Sequence, residues 1–179
     1  MPPYDDPQII AGQGTVGHEI AEDLQALGIA PDIVVAPASG GGLVAGIAVA
    51  VKARYARATV MTAEPAGFDD HAKSLRAGER EAHDGKSQTI CDALMAPIPG
   101  EITFAINRVL GVQGVVASDD EVGVAVGAAF RELKLVVEPG GAVALAALLA
   151  GRLDAHGKTV VIVLSGGNVD ADMYARLTG

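Results

Sequence analysis

Cysteine and aromatic residues are scarce in this chain of 179 residues. It has one cysteine, Cys91, no tryptophan, and an aromatic content of 3%. A single cysteine cannot form an internal disulfide, and no cysteine and histidine residues have the spacing of a zinc site. The sequence therefore excludes a disulfide-stapled module and a zinc finger. Its 23 glycines suit closely packed layers of helix on sheet instead.

Long apolar runs and an excess of positive charge are also missing. Every apolar stretch is interrupted before the roughly 20 residues that a membrane helix needs, and the amino terminus lacks the regions of a signal peptide. The net charge of -9 and the pI near 4.7 would repel nucleic acid. We therefore expect a cytoplasmic protein that binds neither membranes nor nucleic acid.

What the chain does have is enough apolar material for one core. Hydrophobic residues make up 50% of it, and its length favours one domain over residues 1–179. Short Val/Ile runs alternate with segments of helical period, which predicts parallel strands joined by helices. The predicted strands are residues 33–36, 59–63, 115–117 and 160–164, and the predicted helices are residues 16–27, 43–55, 119–133, 141–149 and a short one near the end. The fold class is therefore α/β, with a three-layer parallel sheet flanked by helices.

Two segments between these elements have clear local signals. Ser118 and Glu121 have the spacing of a capping box, so a helix is expected to begin after Ser118. Its apolar face would contain Val122, Ala125, Val126, Ala129, Phe130 and Leu133. Residues 75–88 are polar and contain two glycines, and we expect a solvated loop or a frayed helix end there.

Residues 33–46 carry the strongest signal for a binding site. A Val-rich strand runs through Gly40, Gly41 and Gly42 into a helix that starts near Leu43. Consecutive glycines let backbone N–H groups converge on an anion, and the helix N-terminus adds partial positive charge. A phosphate is the expected ligand, although the motif alone leaves a ligand-free turn open. The Gly-Lys-Ser/Thr ending of a nucleoside-triphosphate loop is absent, which argues against an ATPase or GTPase.

Two other glycine turns are weaker candidates. Gly12, Gly14 and Gly17 match G-x-G-x-x-G, but the apolar run before them is too short for a dinucleotide-binding unit. We interpret them as a loop in which Thr15 begins the helix. Ser165 follows the last predicted strand, at the carboxyl edge of the sheet where ligands bind in parallel folds. It could therefore face the same ligand as the glycine run, although a Ser-Gly-Gly turn by itself is more often only a turn.

Several acidic residues and the histidines complete the candidates. Glu64 and Asp70 lie in an acidic turn that suits a hard cation, but a solvated turn is the simpler interpretation. Glu138 precedes a helix, where an ordinary capping role is the alternative. The four histidines fall in polar contexts that suggest exposure, and we assign them no chemistry. They are His18, His71, His83 and His156.

Together these segments resemble the pyridoxal-phosphate-dependent serine/threonine dehydratase and serine racemase family, of fold type II. The resemblance covers nearly the whole chain, in one order. Its segments are residues 3–7, 11–15, 39–43, 64–70, 89–92, 138–142 and 165–168. It implies most of the large, cofactor-binding domain of such an enzyme.

The resemblance also implies roles for individual residues. Gly40, Gly41, Gly42 and Leu43 would donate backbone N–H groups to the phosphate of pyridoxal phosphate. Ser165 would bind the pyridine nitrogen, and Glu138 would lie close to the cofactor. In metal-activated relatives a divalent cation binds here, which carries over to Glu64, the Phe68 carbonyl and Asp70 as ligands of Mg²⁺ or Ca²⁺.

One element of the family pattern is not in this chain. Members carry an upstream Ser-Phe-Lys segment whose lysine binds the cofactor covalently, and none of the five lysines here replaces it. No catalytic residue is therefore assigned, and the amino end is expected to be cut, with the lysine and the small domain lying upstream. The implied parent is an ammonia-lyase that converts L-threonine or L-serine to a 2-oxo acid and ammonia. A serine racemase, or a non-catalytic cofactor-binding fragment, stays open.

The expected partners follow from the same resemblance. They are a small amino-acid substrate and either a second copy in a homodimer or the missing N-terminal part. The preferred amino acid is not predicted, because the loop that selects it would lie upstream.

Overall fold

A computed structural model describes residues 4–179, in which four strands alternate with helices. In chain order the elements are α1 (Pro7–Ala26), β1 (Ile33–Pro37), α2 (Gly42–Arg54), β2 (Thr59–Pro65), α3 (Asp70–Ala77), α4 (Glu101–Val109), β3 (Gln113–Ala117), α5 (Asp119–Ala128), α6 (Pro139–Leu149), β4 (Val160–Ile162) and α7 (Ala171–Thr178). A 3₁₀ turn covers Asp92–Leu94, and one π-helical turn covers Ala129–Leu133. Within residues 4–179 no helix is long and apolar enough to cross a membrane.

The strands form one sheet in the order β3-β2-β1-β4, and every pair is parallel. On β1, Ile33 and Val35 pack into one apolar cluster, whereas Val34 and Ala36 pack into another. Successive side chains of a strand point to opposite faces, so each face of the sheet carries its own core. Helices α5 and α6 cover the first face, and α2 covers the second. The predicted three-layer α/β fold is confirmed.

Helix α1 begins nine residues before the predicted start. The Asp6 carboxylate accepts a hydrogen bond from the Gln8 N–H at 2.8 Å, and Pro7 occupies the first helical position, where its missing N–H costs nothing. The three glycines of the G-x-G-x-x-G pattern therefore lie inside a helix, and the predicted loop before Thr15 is wrong. Within the described residues no strand precedes them, so they do not form a dinucleotide-binding turn.

The glycines of α1 serve close packing instead. A Cβ at Gly17 would lie 2.9 Å from the Cα and carbonyl oxygen of Ile47, and one at Gly46 would lie 2.5 Å from the Gly14 nitrogen. Helices α1 and α2 thus approach each other along their glycines. The motif is explained by helix packing, which the residue pattern alone does not distinguish from a phosphate turn.

The chain from residue 64 to 112 contains two helices, α3 and α4, that the sequence pattern did not indicate. Both begin without a capping side chain of their own. Glu64, from the preceding strand β2, caps α3. Asp5, which is distant in sequence, accepts from the N–H groups of Glu101 and Ile102 at the start of α4. The predicted loop 75–88 is found from Gly78 onward, after α3 ends.

Helix α5 begins as predicted but ends differently. The capping box between Ser118 and Glu121 is present in both directions. At Ala129 the helix widens into the π turn, which rotates the following side chains away from the apolar face. Phe130 and Leu133 are consequently 44% and 51% exposed, so their assignment to that face is wrong.

Candidate cofactor-binding site

A pocket of about 520 Å³ opens where β1 and β4 end, at the carboxyl edge of the sheet. Its volume falls in the range of ordinary small-molecule sites. The residues that line it are Tyr4, Ile9, Gln13, Pro37, Ala38, Ser39, Gly40, Gly41, Gly42, Leu43, Asp92, Ala93, Leu94, Met95, Ala96 and Ser165. The glycine loop, residues 39–42, and Ser165 therefore share one pocket, as expected from the parallel sheet.

The glycine loop offers unpaired donors to this pocket. Among the described residues, the backbone N–H groups of Gly40, Gly41, Gly42 and Leu43 donate to no backbone acceptor outside α2, and α2 has no capping side chain. Gly41 has φ 93°, in the left-handed region that glycine adopts without strain. Unpaired N–H groups at the N-terminus of a 13-residue helix fit a phosphate, since the helix dipole adds positive potential there.

The residues that line the rest of the pocket were only partly predictable from the sequence. Tyr4 packs on the loop closely enough that a Cβ at Gly40 would clash with its ring. The Ser39 hydroxyl accepts a hydrogen bond from the Ala96 N–H at 2.9 Å and ties the loop to residues 92–96. Tyr4, Gln13 and Asp92 all lie in segments that carried the family resemblance, but no residue pattern marked them as pocket residues.

Ser165 and Glu138 meet at the end of β4. This strand stops at Ile162, two residues earlier than predicted, and Ser165 follows as an exposed pocket residue. The Glu138 N–H donates to the Gly166 carbonyl at 3.0 Å, and a Cβ at Gly166 would lie 2.6 Å from Glu138 Oε1. Glu138 therefore adjoins the pocket through Gly166 without forming part of its wall.

The pocket wall contains no lysine among the residues that the structure describes. Lys73 and Lys158 pair with Asp69 and Asp154, and Lys134 donates to the Arg131 carbonyl. Lys52 lies near the end of α2, and Lys86 lies in an exposed loop. No lysine in residues 4–179 is thus placed to reach a ligand held by the glycine loop.

The predicted metal ligands lie behind the glycine loop, around the start of α3. Glu64 is fully buried, and its two carboxylate oxygens accept from the N–H groups of His71 and Ala72 at 2.8 and 2.7 Å. Burial raises the pKa of Glu64 well above its usual value and that of Asp70 to about 6. Asp70 Oδ2 is buried and has no hydrogen-bond partner within residues 4–179.

These observations leave the cation as a prediction. Within residues 4–179, no three His, Cys, Asp or Glu side chains are grouped to hold a metal ion. The Glu64 carboxylate already accepts hydrogen bonds from the start of α3. The Asp70 Oδ2 atom has no partner within residues 4–179 and could accept a further ligand. Phe68 is buried beside them, in contact with the His83 ring at 4.6 Å between centroids.

The expectation that all four histidines are exposed is wrong for His71. Its side chain is fully buried, and Asn107 Nδ2 donates to its Nε2 at 3.0 Å. Burial lowers the pKa of His71 to about 4, so the imidazole is neutral at physiological pH. No residue pattern indicated this contact, because His71 and Asn107 lie on the two helices that were not predicted.

Comparison with known proteins identifies the family. A family model described as pyridoxal-phosphate dependent enzyme matches residues 1–166. The chain therefore belongs to the family of pyridoxal-phosphate-dependent enzymes. It is 40% identical to the L-threonine dehydratase catabolic TdcB of Escherichia coli over 100% of this chain and 54% of that protein. It is 35% identical to a serine racemase of Dictyostelium discoideum over 98% of this chain and 53% of that protein.

Solved structures agree with these relatives. A T.th. threonine deaminase superposes with a TM-score of 0.87 at 41% identity, covering 94% of this chain and 60% of that one. Maize serine racemase superposes with a TM-score of 0.87 at 35% identity, covering 98% of this chain and 53% of that one. The fold is that of fold type II enzymes, and the chain spans about half the length of the curated relatives it matches.

Proposed function

We propose that the chain is the phosphate-binding part of a pyridoxal-phosphate-dependent ammonia-lyase that acts on L-threonine or L-serine. The observation that carries this proposal is the row of unpaired N–H groups from Gly40 to Leu43, which faces the same pocket as Ser165. Relatives named threonine dehydratase and threonine ammonia-lyase, matched over almost the whole chain, support this reaction.

The residues of this chain would bind and orient the cofactor. The glycine loop would hold the phosphate through N–H groups and the dipole of α2. The Ser165 hydroxyl would bind the pyridine nitrogen. A neutral hydroxyl, unlike a carboxylate, does not force this nitrogen to stay protonated. Glu138 would keep the turn at Gly166 in place beside it. Pyridoxal phosphate, when bound, supplies the electron sink that allows loss of the β-hydroxyl group.

Catalysis would require groups that are not among the described residues of this pocket. Since no described lysine reaches it, we propose that the covalent lysine and the substrate-binding loop come from another part of the complete protein or from a partner chain. Homodimer formation and a cytoplasmic location also stay predictions. In this proposal, the isolated chain binds the cofactor reversibly and is inactive.

Cofactor titration tests the binding role. We expect the chain to bind pyridoxal phosphate more tightly than pyridoxal, since only the former carries the phosphate. Borohydride treatment of the complex should leave no single lysine stoichiometrically labelled. Equal affinity for both compounds would contradict the phosphate assignment, and a stoichiometric label on one lysine, with oxo acid formed from threonine, would show that the chain itself is catalytic.

A racemase is the second candidate, because relatives named serine racemase match the same residues. The two reactions are separated by their products. A complete protein containing this chain should form 2-oxobutanoate from L-threonine, detected as its hydrazone. D-serine formed from L-serine without a comparable amount of pyruvate would favour the racemase.

A divalent cation at Glu64, Phe68 and Asp70 is a separate proposal, supported by the unpartnered Asp70 oxygen. If the cation binds, millimolar Mg²⁺ or Ca²⁺ should raise the melting temperature of the chain by mass action, and Asp70→Asn should remove that rise. A melting temperature that does not respond to either ion would refute it.

A further inference from the structure

All the fully buried polar side chains of residues 4–179 lie in one region, behind the glycine loop. They come from β2, α3 and α4. They are Thr62, Glu64, Asp70, His71, Ser74, Thr103 and Asn107. Burying a polar group costs free energy unless it is hydrogen bonded, so apolar side chains would pack this region at lower cost.

Two of these side chains contact the glycine loop directly. The Thr103 hydroxyl donates to the Gly40 carbonyl at 2.6 Å, and the Gly100 N–H donates to the same oxygen at 3.1 Å. A Cβ at Gly41 would clash with His71 Cε1 and lie 3.0 Å from Thr103 Oγ1. The loop therefore rests on Thr103 and His71 on the side away from the pocket.

The bond to the Gly40 carbonyl determines which way the next N–H points. In a trans peptide the C=O and N–H groups point in opposite directions, so a Gly40 carbonyl held toward α4 turns the Gly41 N–H away from α4. A peptide between two glycines is otherwise free to rotate, since neither residue has a Cβ to restrict it. The rotated form would present a carbonyl oxygen to the phosphate, which would repel it.

The imidazole is itself held in place. A hydrogen bond of 3.0 Å joins Asn107 Nδ2 to His71 Nε2 and fixes the orientation of the ring. The backbone N–H of His71 donates to Glu64, so both the main chain and the ring are fixed. The His71 ring occupies the position beside Gly41 where another residue would have its Cβ.

We propose that Thr103, His71 and Asn107 are positioning residues, which hold the Gly40–Gly41 peptide with its N–H toward the cofactor phosphate. Thr103 acts on the carbonyl, His71 supports the turn, and Asn107 orients His71. The inference rests on the proposed binding of pyridoxal phosphate and adds the layer of residues that would make the loop selective for an anion.

Thr103 provides the sharpest test, because two substitutions separate the effect of its hydroxyl group from the effect of its side-chain volume. Thr103→Val keeps the volume and removes the donor, whereas Thr103→Ser keeps the donor. We expect Thr103→Val to weaken pyridoxal phosphate binding about tenfold, the equivalent of one strong hydrogen bond. Thr103→Ser should stay within about twofold of the wild-type chain on the same scale. The ³¹P resonance of the bound cofactor should shift in Thr103→Val alone.

Ser74→Ala is the matched control. Ser74 is an equally buried hydroxyl of the same region, but it donates to the Asp70 carbonyl at 2.6 Å, and among the described residues it has no hydrogen bond to the glycine loop. It should lower stability to urea and leave cofactor affinity unchanged. The proposal is overturned if Thr103→Val binds the cofactor like the wild-type chain, or if Ser74→Ala weakens binding as much. A wild-type chain that fails to prefer pyridoxal phosphate to pyridoxal would instead overturn the proposed function.

Discussion

At the scale of single residues, Gly41 is a position where the backbone and its surroundings both require glycine. Its φ of 93° is unfavourable for other residues, and an added Cβ would enter the His71 ring. Gly28, at φ 69°, has the same backbone demand but open space around it. The two positions therefore separate backbone strain from steric conflict.

We expect Gly28→Ala to lower the free energy of unfolding by about 1 kcal/mol, the cost of a left-handed residue with a Cβ. Gly41→Ala should cost more and reduce pyridoxal phosphate affinity at least about tenfold, because the loop must move off His71. Urea denaturation and a cofactor titration measure the two effects. Equal stabilities for the two variants would mean that His71 does not support the loop.

At the scale of elements, helix α3 depends on a carboxylate from the neighbouring strand. Glu64 accepts hydrogen bonds from the N–H groups of His71 and Ala72. Both groups are buried, so without Glu64 they would have no acceptor. Each buried unpaired donor costs about 1–3 kcal/mol, so Glu64→Ala should lower the free energy of unfolding by about 2 kcal/mol or more. Ser118→Ala, which removes the cap of α5, should cost about 1 kcal/mol. A smaller loss in Glu64→Ala than in Ser118→Ala, measured in urea, would show that water reaches the start of α3.

Helix α1 offers a test of its own within the three spaced glycines. Among the described residues, no atom outside the neighbouring turns of α1 lies within 4 Å of a Cβ placed at Gly12, whereas a Cβ at Gly17 would lie 2.9 Å from Ile47. Gly12→Ala should therefore raise the free energy of unfolding by about 0.5–1 kcal/mol, as alanine does inside helices. Gly17→Ala should lower it. If both substitutions were destabilising in urea, the helical assignment of Gly12 would be wrong.

The same elements show how far the sequence could be interpreted. Strand β1 was predictable over residues 33–36, because a short apolar run between turns is typical of a buried strand. The turn at Gly40–Gly42 followed from it. Helices α3 and α4 were not predictable, because neither has a capping residue at its own N-cap position: Glu64 lies in β2, and Asp5 lies before α1. His71 was missed for that reason, since its burial depends on both helices.

At the scale of the whole molecule, Cys91 reports on one of the two cores. It is fully buried in the cluster that contains Val35, and burial raises the pKa of its thiol to about 12. A thiol with that pKa reacts slowly, because the thiolate is the nucleophile. If the sheet and both cores unfold together, the urea midpoint for Cys91 labelling should equal the midpoint from far-UV circular dichroism.

A Cys91→Ala, Val124→Cys variant provides the control for this experiment. Val124 is 62% exposed on α5, so a thiol there should be labelled at every urea concentration. A Cys91 labelling midpoint well below the circular dichroism midpoint would mean that this core opens before the rest of the sheet.

Asp5 and Asp6 have a consequence for the order in which the chain folds. Asp6 caps α1, to which it is adjacent, whereas Asp5 caps α4 and bonds to Glu101, which lies 96 residues further along the chain. The first contact can form as soon as α1 nucleates, but the second must wait until a long loop has closed. Two neighbouring carboxylates thus belong to an early and a late step of folding. Removing Asp5 should accelerate unfolding more than it slows folding.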